Sequence, residues 1–307
     1  MTWGRVRTQR APYELLLIGT PDELQTVTHP SVVEVPEGWN GYRYWMLLTP
    51  YGNNNSATEN PCVYVSQDGV SFGPPPGLTN PLATLADAQA AGWSHWSDTH
   101  LLFMDDGVTL GAYWRGSTGT GEGFYLSTST DGVTWSPKVK VLEDLSTVLG
   151  SELLSPAIVR EADSSFSMWT VRQITSSDRR VDHRTSADGI TWSAATECTI
   201  PAALVPWHIE VQRIGSTYHA LVSGGTSANI GDNLYYLTSS DQTTWEGSTS
   251  VAVPKTPDPT LDARHYRSCF VPIEGTSPQE WRVWVSGIPN DEASYPWRLI
   301  VRDRFVF

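Results

Sequence analysis

The sequence is poor in cysteine, in basic residues and in long apolar runs, and each shortage excludes a class of protein. The three cysteines, Cys62, Cys198 and Cys269, are an odd set with no paired spacing, so we expect buried thiols rather than disulfides or a thiolate metal site. Only 20 Lys and Arg stand against 33 Asp and Glu, and the net charge is −13. Such a surface repels phosphate backbones and anionic membranes. We therefore expect neither nucleic acid nor a membrane as a partner.

Signals for targeting and for common cofactors are also missing. The run from Met1 to Arg5 lacks the apolar core of a signal peptide, and no stretch approaches the length of a membrane span. These observations predict a soluble chain made in the cytoplasm without an export signal. No Ser/His/Asp elbow, Walker loop or dinucleotide fingerprint occurs, and no acidic cluster has the spacing of a calcium-binding loop. The motifs therefore predict no cofactor and no metal site.

What the sequence does contain is one motif that occurs four times. The copies begin at Ser66, Ser129, Ser186 and Ser239, between 53 and 63 residues apart. Each reads Ser-x-Asp-Gly-x-Ser/Thr followed by Trp or Phe, except that Gln242 replaces the glycine of the fourth copy. An Asp-Gly pair after an alternating apolar run is typical of a tight turn at the end of a strand, and a recurring period indicates a repeat architecture. We expect the fourth turn to be distorted or differently closed.

Strand-like runs before each motif complete the repeat. Each unit holds about four short strands, which is the composition of one propeller blade, and a fifth unit without the motif extends from Tyr266 to Val301. Only Leu82 to Ala91 predicts one or two helical turns. The sequence therefore predicts an all-β, five-bladed β-propeller with four antiparallel strands per blade. The leftover run Tyr13 to Ile18 is predicted to add the outer strand of the last blade and so to close the ring.

This architecture predicts a single domain over residues 1–307. Its approximate blades are 29–80, 93–150, 151–204, 205–262, and 263–307 together with 1–28. A propeller distributes its core between the blades, so a chain with 39% hydrophobic residues can bury enough surface without dividing into two domains.

Polar residues start the predicted innermost strands, where an apolar alternation would be usual. In a propeller these strand starts converge on the central axis, so they predict a site that binds hydroxyl-rich ligands or performs acid–base chemistry on them. The polar candidates are His29, Ser31, Asp98, Ser155, His208, Glu210 and Arg267. The aromatic candidates for stacking on sugar rings are Trp96, Trp207 and Tyr266.

Two of these candidates form the favoured pair, although a structural interpretation stands beside it. His208 and Glu210 are two residues apart on one strand, so their side chains point to the same side. Alternatively, Glu210 and Arg267 form a buried ion pair that plugs the channel, Asp98 caps a turn, and the histidines are satisfied core residues.

The turns and the polar strand starts together resemble the five-bladed propellers of the furanosidase-like glycoside hydrolases, families 43 and 32. The resemblance covers nearly the whole chain. The turn is also similar to the sialidase Asp-box, although that box has one more residue between Asp and Gly. In both groups the turn lies away from the substrate. The resemblance therefore implies structural roles for the four turn carboxylates, Asp68, Asp131, Asp188 and Asp241.

The same resemblance implies a catalytic set. Such enzymes use a carboxylate base from the first blade, an orienting Asp from the second and a Glu acid from a later blade. Asp98 matches the orienting residue, and Glu210 or Glu152 matches the acid. Ser31 stands where the base is expected, so either Glu59 or Glu34 substitutes for it, or the site binds without cutting. Related propellers sometimes hold a calcium ion in the channel.

Three functions follow from these observations. The first is a glycan-recognising propeller, namely a bacteriophage tail or receptor-binding component that contacts a host surface polysaccharide and other virion proteins. This hypothesis rests on an extracellular-type fold without an export signal, which fits release by lysis. The second is an active glycoside hydrolase that depolymerises a polysaccharide. The third is a non-catalytic scaffold. We expect a carbohydrate ligand, and we take glycan recognition as the main hypothesis.

Overall fold

The chain forms five antiparallel sheets around one axis. The structure, a computed structural model, describes residues 13–118, 121–144, 153–175, 178–225 and 232–307. Each sheet contacts the next through its innermost strand, in chain order, and the fifth returns to the first. The sequence prediction of an all-β five-bladed propeller is therefore confirmed.

The described residues form twenty strands. The strand that precedes the first blade is β1 (Glu14–Leu16). The first blade contains β2 (Val27–Trp39), β3 (Tyr42–Pro50) and β4 (Cys62–Ser66). The second contains β5 (His95–Phe103), β6 (Leu110–Ser117), β7 (Glu122–Ser129) and β8 (Val139–Asp144). The third contains β9 (Leu153–Arg160), β10 (Phe166–Gln173), β11 (Arg179–Ser186) and β12 (Thr196–Glu197).

The last two blades follow the same order. The fourth contains β13 (Val205–Ile214), β14 (Thr217–Gly225), β15 (Asn233–Ser239) and β16 (Glu246–Gly247). The fifth contains β17 (Arg264–His265), β18 (Cys269–Ile273), β19 (Glu280–Ile288) and β20 (Arg298–Phe305). Four antiparallel strands are the rule, and in the first blade an isolated bridge between Val65 and Gly73 marks the place of the fourth.

The ring closes between the two ends of the described chain. The strand β1 pairs antiparallel with β20, with Glu14 opposite Val301, and so supplies the outer strand of the fifth blade. Leu16 and Ile18 are 1% and 0% exposed in the core between the fifth and first blades. This closure is the one that the sequence predicts, and it covers what would otherwise be an open edge at β20.

Helices are few. The segment Leu85–Ala90 forms α1, which begins with a capping box between Thr84 and Asp87, and Pro259–Asp262 forms α2. Two 3₁₀ turns, Gly52–Asn54 and Ser56–Thr58, lie in the loop after β3. The prediction of one or two helical turns before the second blade is confirmed. Within the described ranges, no helix has the length and apolarity that crossing a bilayer requires.

The four repeated turns join neighbouring blades. In each turn the Asp side chain accepts hydrogen bonds from the backbone N–H groups two and three residues later, as Asp188 does from Ile190 (2.8 Å) and Thr191 (2.7 Å). In three of the turns a backbone carbonyl accepts a bond from an aromatic side chain on the second strand of the preceding blade, as Gly69 O does from Trp284 Nε1 at 2.9 Å. In the second turn the Thr130 carbonyl accepts from Asn40 of the preceding blade instead, at 3.0 Å. The turns therefore connect each blade to the preceding one by hydrogen bonds.

The fourth turn is not distorted, and the sequence expectation there is wrong. Gln242 adopts φ 74°, close to the values of the glycines in the other copies, and Asp241 still accepts bonds from the N–H groups of Thr243 and Thr244 at 2.9 and 2.6 Å. Left-handed backbone costs a non-glycine residue about 1–2 kcal/mol. The Gln242 side chain offsets part of this cost because it donates to Tyr218 and to Glu161.

The core is divided among the gaps between adjacent blades. Clusters of aromatic and aliphatic side chains fill each gap, and the middle strands are buried on both faces, as Trp45, Trp114 and Trp169 show. The cysteines are free and buried, as expected. The inner strands consequently leave a narrow axial channel into which polar side chains point.

Candidate functional site

The inner strand of every blade is interrupted at the same level. The register with the second strand shifts between Thr28 and Ser31, between Ser97 and Thr99, between Leu154 and Ala157, and between Pro206 and His208. In the fifth blade the strand divides into β17 and β18 around Tyr266. A bulge bends the strand and aims one side chain away from the pleat. Here the five interruptions turn side chains toward the axis.

Three of these interruptions contain a residue whose backbone adopts the left-handed conformation. The φ values are 53° for His29, 34° for Asp98 and 57° for Ser155. Such backbone is unfavourable for residues other than glycine and concentrates at functional sites, where the surrounding structure enforces it. The site therefore lies at the face where the inner strands begin, which we call the site face; the repeated turns lie at the opposite face.

Three metal-ligating side chains meet on the axis at the site face. The Nε2 atom of His29 lies 2.9 Å from Oδ1 of Asp98, and Nδ1 of His208 lies 3.7 Å from the same oxygen. One ligand atom from each residue lies within 4.8 Å of the other two. All three side chains are at most 1% exposed. We call these residues the axial triad.

Neighbouring residues orient the axial triad. Thr49 Oγ1 lies 2.9 Å from Nδ1 of His29, and Ser155 Oγ lies 2.7 Å from Nδ1 of His208. The Arg115 Nε atom lies 3.0 Å from Oδ2 of Asp98. His29 is thus held through Nδ1, which leaves its Nε2 beside Asp98, whereas Nδ1 of His208 contacts Ser155 and is also the atom nearest Asp98. These partners fix the orientation of the three side chains.

The charges of the triad suit a cation. Burial lowers the pKa of both imidazoles, against the opposing effect of Asp98. Burial by itself would raise the pKa of Asp98, but Arg115 and the two histidines hold it well below the ordinary value. The triad therefore consists of neutral imidazoles and an ionised carboxylate, which are the protonation states that metal ligands need.

The triad also contains a buried atom without a partner. His29 Nε2 and Asp98 Oδ1 contact each other, whereas within the described ranges His208 Nε2 has no hydrogen-bond partner. Buried polar atoms are nearly always partnered, so this nitrogen, beside a carboxylate and a second imidazole, needs an explanation. Two imidazoles and one carboxylate are a common donor set for catalytic zinc and iron, with coordination positions left open for water and substrate. The residues present fit a divalent cation.

A second ionisable pair lies beside the triad. Glu59, in the loop after β3, approaches His95 at the start of β5, with 4.0 Å between Oε2 and Nε2. Burial raises the pKa of Glu59 to about 8, and a hydrogen bond with Ser97 and the charge of Arg115 only partly oppose this. Its carboxyl group is therefore protonated near neutral pH and able to donate a proton.

Aromatic rings surround the triad on the site face. The ring centroid of Tyr266 lies 4.5 Å from that of His208 and 5.4 Å from that of His29. Trp207 lies 6.3 Å from Tyr266 and carries the Arg179 guanidinium 4.3 Å from its own ring centroid. Both Tyr266 and Trp207 are half-buried. They can present apolar faces to the C–H side of a sugar ring.

Glu210 and Arg267 lie deeper along the axis. They form an ion pair of 3.1 Å, and His100 Nδ1 lies 3.5 Å from the other carboxylate oxygen. Because Glu210 follows His208 by two residues on one strand, it lies about 7 Å further from the site face. This is the arrangement of the plugging ion pair that the sequence left open. The catalytic role of Glu210 remains a prediction.

The remaining predicted residues are distributed more widely. Ser155 belongs to the site through His208, whereas the Ser31 hydroxyl accepts a bond from the Leu101 N–H at 3.0 Å. Trp96 is 1% exposed, and its Nε1 donates to Thr84. Glu34 lies toward the opposite face, where Arg43 and Tyr44 donate to it. Glu152 lies outside the described residues.

One cavity in the described part of the chain lies away from the candidate site. It measures about 430 Å³ and lies at the opposite end of the channel, where His100, Arg160 and Arg213 contribute to its wall. None of the axial triad lines it, and Glu210 with Arg267 lies between the two ends. We therefore place the chemistry at the site face.

Sequence reasoning missed several members of the site. It named Glu59 only as a possible substitute, and it did not name His95, Arg115 or Thr49. His95 had a detectable signal, because it starts the same strand as Asp98. Arg115 and Thr49 lie at the ends of second strands and reach the axis only through the twist and packing of the sheets, so no local pattern identifies them.

Comparison with known proteins adds a relative with a defined activity. No protein-family model matches the chain. The chain is 29% identical over 314 aligned residues to an A type blood N-acetyl-α-D-galactosamine deacetylase from Flavonifractor plautii, covering 86% of this chain. It spans about 40% of the length of that relative.

Solved structures of carbohydrate-active propellers are also similar to this chain. A crystal structure of an N-acetylgalactosamine deacetylase from F. plautii, in complex with blood group B trisaccharide, superimposes with a TM-score of 0.78, 25% identity and coverage of 92% of this chain and 90% of that one. An α-L-arabinanase from Penicillium chrysogenum, complexed with arabinobiose, has a TM-score of 0.64 at 13% identity and covers 95% and 98% of the two chains.

These similarities separate the sequence hypotheses. The likeness to hydrolase propellers is confirmed at the level of the fold. The relation to a sugar deacetylase favours the enzymatic alternative over glycan binding alone. Nothing in the similarities supports the expectation of a bacteriophage tail protein.

Proposed function

We propose that this propeller is a metal-dependent hydrolase that removes the acetyl group from an N-acetylated amino sugar in a glycan. The observation that carries the proposal is the axial triad, in which His29, Asp98 and His208 bring three metal-ligating side chains within 4.8 Å of one another under an aromatic rim. The relative is named for the deacetylation of N-acetylgalactosamine, and we take the same sugar as the first substrate to test.

The triad would hold the cation. A divalent metal ion bound there would lower the pKa of a bound water and polarise the acetyl carbonyl. Arg115 keeps the Asp98 carboxylate ionised and oriented, and Thr49 and Ser155 fix the two imidazole rings. The substrate would reach the triad from the site face.

Glu59 supplies the proton that amide hydrolysis needs. The reaction adds water across the amide bond: the oxygen joins the acetyl carbon to give acetate, the C–N bond breaks, and the amine nitrogen takes a proton. With a pKa of about 8, Glu59 is protonated before the reaction, donates to the departing nitrogen, and recovers a proton from the attacking water. The charge of Arg115, which favours the ionised form of Glu59, would stabilise its carboxylate after transfer.

The aromatic rim would position the sugar. Tyr266 packs against both histidines of the triad, and Trp207 flanks it. Stacking on these rings would hold the pyranose while its acetamido group reaches the axis. A glycosidase would instead need two carboxyl groups across a glycosidic bond, and Glu210, the predicted acid, is paired with Arg267 away from the site face.

The first experiment measures acetate released from an N-acetylgalactosaminide by the full chain, before and after chelation and with added Zn²⁺, Mn²⁺ or Ca²⁺. We expect metal-dependent release, and we expect Asp98→Asn to lose bound metal and to reduce release more than roughly 100-fold. His183→Gln is the matched control, since this buried histidine packs on Trp169 outside the triad. Metal content by elemental analysis is the second readout.

Other outcomes contradict the proposal. Reducing-sugar release without acetate would assign the site to glycoside hydrolysis, and glycan binding without either product would assign it to recognition. Full acetate release by a metal-free protein would remove the role of the triad as a cation site.

A second variant isolates the proton donor. Glu59→Gln keeps the shape of the side chain but cannot transfer a proton, so we expect kcat to fall by roughly 10²–10⁴-fold while bound metal stays at the wild-type level. Unchanged kcat with normal metal content would exclude Glu59 from the chemistry.

A further inference from the structure

A smaller cavity opens on the site face beside the aromatic rim. It lies between the loop after β3 and the loop that precedes β20, and it measures about 200 Å³. Pockets for drug-sized ligands typically span roughly 300–1,000 Å³, so this one suits a single ring. The residues that matter to the argument are Thr26, Asn53, Asn54, Glu292 and Tyr295. None of them belongs to the site described above.

The cavity is connected to the triad by a row of rings. Tyr51 and Trp297 lie 4.9 Å apart between their centroids, and Trp297 lies 5.0 Å from Tyr266, which contacts His208. The cavity wall includes Pro296, the residue before Trp297. The cavity therefore lies beside Trp297, which contacts Tyr266.

Hydrogen bonds hold the two loops together. Asn54 Nδ2 donates to the Glu292 carbonyl at 2.9 Å, and the Tyr51 N–H donates to the Thr26 carbonyl at 2.9 Å. The Glu292 carboxylate accepts from Trp297 Nε1 at 3.0 Å and pairs with Arg264. The cavity walls are thus set before any ligand arrives, which lowers the entropic cost of binding.

Two polar side chains at the cavity can still form hydrogen bonds with a ligand. In the part of the chain described, neither the Asn53 amide nor the Tyr295 hydroxyl makes a hydrogen bond, and Tyr295 is 43% exposed. An exposed ring offers a stacking face, and a free amide offers both a donor and an acceptor. The charged groups Arg264 and Glu292 neutralise each other. This combination selects a neutral, hydroxylated ring rather than an anionic one.

We propose that this cavity is a sugar subsite that holds a neutral monosaccharide unit adjoining the N-acetylated sugar at the axial triad. The inference rests on the proposed function and deepens it, because it makes the substrate an oligosaccharide rather than a free amino sugar. Binding energy gained there lowers KM for extended glycans and leaves monosaccharides unaffected.

The test compares two substrates and two variants. Tyr295→Ala removes the stacking face, and Asn53→Gly removes the amide while keeping a residue that tolerates φ 53°. We expect each to raise KM for acetate release about tenfold on a trisaccharide ending in N-acetylgalactosamine, with no change on methyl N-acetylgalactosaminide. Ile190→Ala, an exposed residue in a turn at the opposite face, is the matched control. Equal effects on both substrates, or none on either, overturn the subsite.

A binding measurement tests the subsite independently of the proposed deacetylase activity. Calorimetric titration with blood group B trisaccharide needs no turnover. If wild type releases no acetate but binds the trisaccharide, and Tyr295→Ala weakens binding about tenfold, the subsite stands and the proposed reaction fails. If acetate is released normally and neither variant changes trisaccharide affinity, the reaction stands and the subsite fails.

Discussion

A single carboxylate organises each of the repeated turns, and its protonation state therefore matters for stability. Hydrogen bonds from the backbone N–H groups of Thr191 and Ile190 lower the pKa of Asp188 to about 2, and bonds from Thr134 and Val133 do the same for Asp131. These carboxylates are largely exposed, yet the bonds form only in the folded turn. Each turn therefore couples proton binding to the joint between two blades.

Acidification should weaken these joints. Because the folded pKa of Asp188 lies below the unfolded value, its contribution is present above pH 4 and is lost as the pH falls through about 2. Asp188→Asn keeps the acceptor but removes the charge, so we expect a lower melting temperature at pH 7 and a smaller further loss between pH 4 and pH 2. Thermal melts across this range measure both. Glu37→Gln, an exposed carboxyl outside the turns, should match wild type, and a parallel acid dependence in Asp188→Asn would contradict the argument.

At the scale of elements, the three-residue strand β1 contributes to the closure of the whole ring. It adds a strand from the N-terminal part of the chain to the sheet of the fifth blade. Alternate side chains of this strand have opposite environments, with Leu16 at 1% and Leu15 at 37% exposure. The strand therefore closes the ring through its inward-facing side chains as well as its backbone bonds.

This difference gives a matched pair of variants. Leu16→Ala leaves a hole between the fifth and first blades and should lower the free energy of unfolding by about 2–5 kcal/mol. Leu15→Ala, one residue away and largely exposed, should change it by less than about 0.5 kcal/mol. Urea unfolding followed by tryptophan fluorescence measures both. Similar losses in the two variants would mean that β1 contributes little beyond its backbone pairing.

Interrupted inner strands are the second feature at this scale, and only part of it follows from the sequence. Polar residues at the strand starts predicted that something converges on the axis, and the triad members His29, Asp98 and His208 were among the candidates. The bulges were not predicted, since a register shift depends on the partner strand. From the sequence, Ser31 and Glu210 appeared equivalent to His29 and His208. In the structure the bulges aim His29 and His208 at the shared centre, whereas Glu210 lies two residues, about 7 Å, deeper along its strand.

At the scale of the whole molecule, the five blades share one buried axis with two polar layers. The triad occupies the layer nearer the site face, and Glu210, Arg267 and His100 occupy the deeper one. All six side chains are at most 3% exposed. The deeper layer ties blades two, four and five together, so it belongs to the assembly of the ring.

Breaking the deeper layer should therefore damage folding more than chemistry. Glu210→Gln leaves the Arg267 charge buried without its counter-ion, which typically costs about 3–5 kcal/mol. We expect a loss of this size in chemical unfolding, with acetate release per folded molecule retained. The combined replacement of Glu210 by Gln and Arg267 by Met should recover part of the stability. A large loss of activity with unchanged stability would return Glu210 to the catalytic role that the sequence predicts.

The sequence by itself determined the repeat, the blade count and the way the ring closes, because turn chemistry and strand periodicity are local properties that recur at each copy. It also identified most of the polar residues that point to the axis. Only the tertiary structure decided which of these polar side chains contact one another on the axis. The bulges that aim the triad at one centre depend on pairing with the neighbouring strands. The companions Arg115, Glu59 and Thr49 come from other strands and loops whose positions follow from the packing of five twisted sheets. A shared centre is a property of the closed ring, and no single repeat contains it.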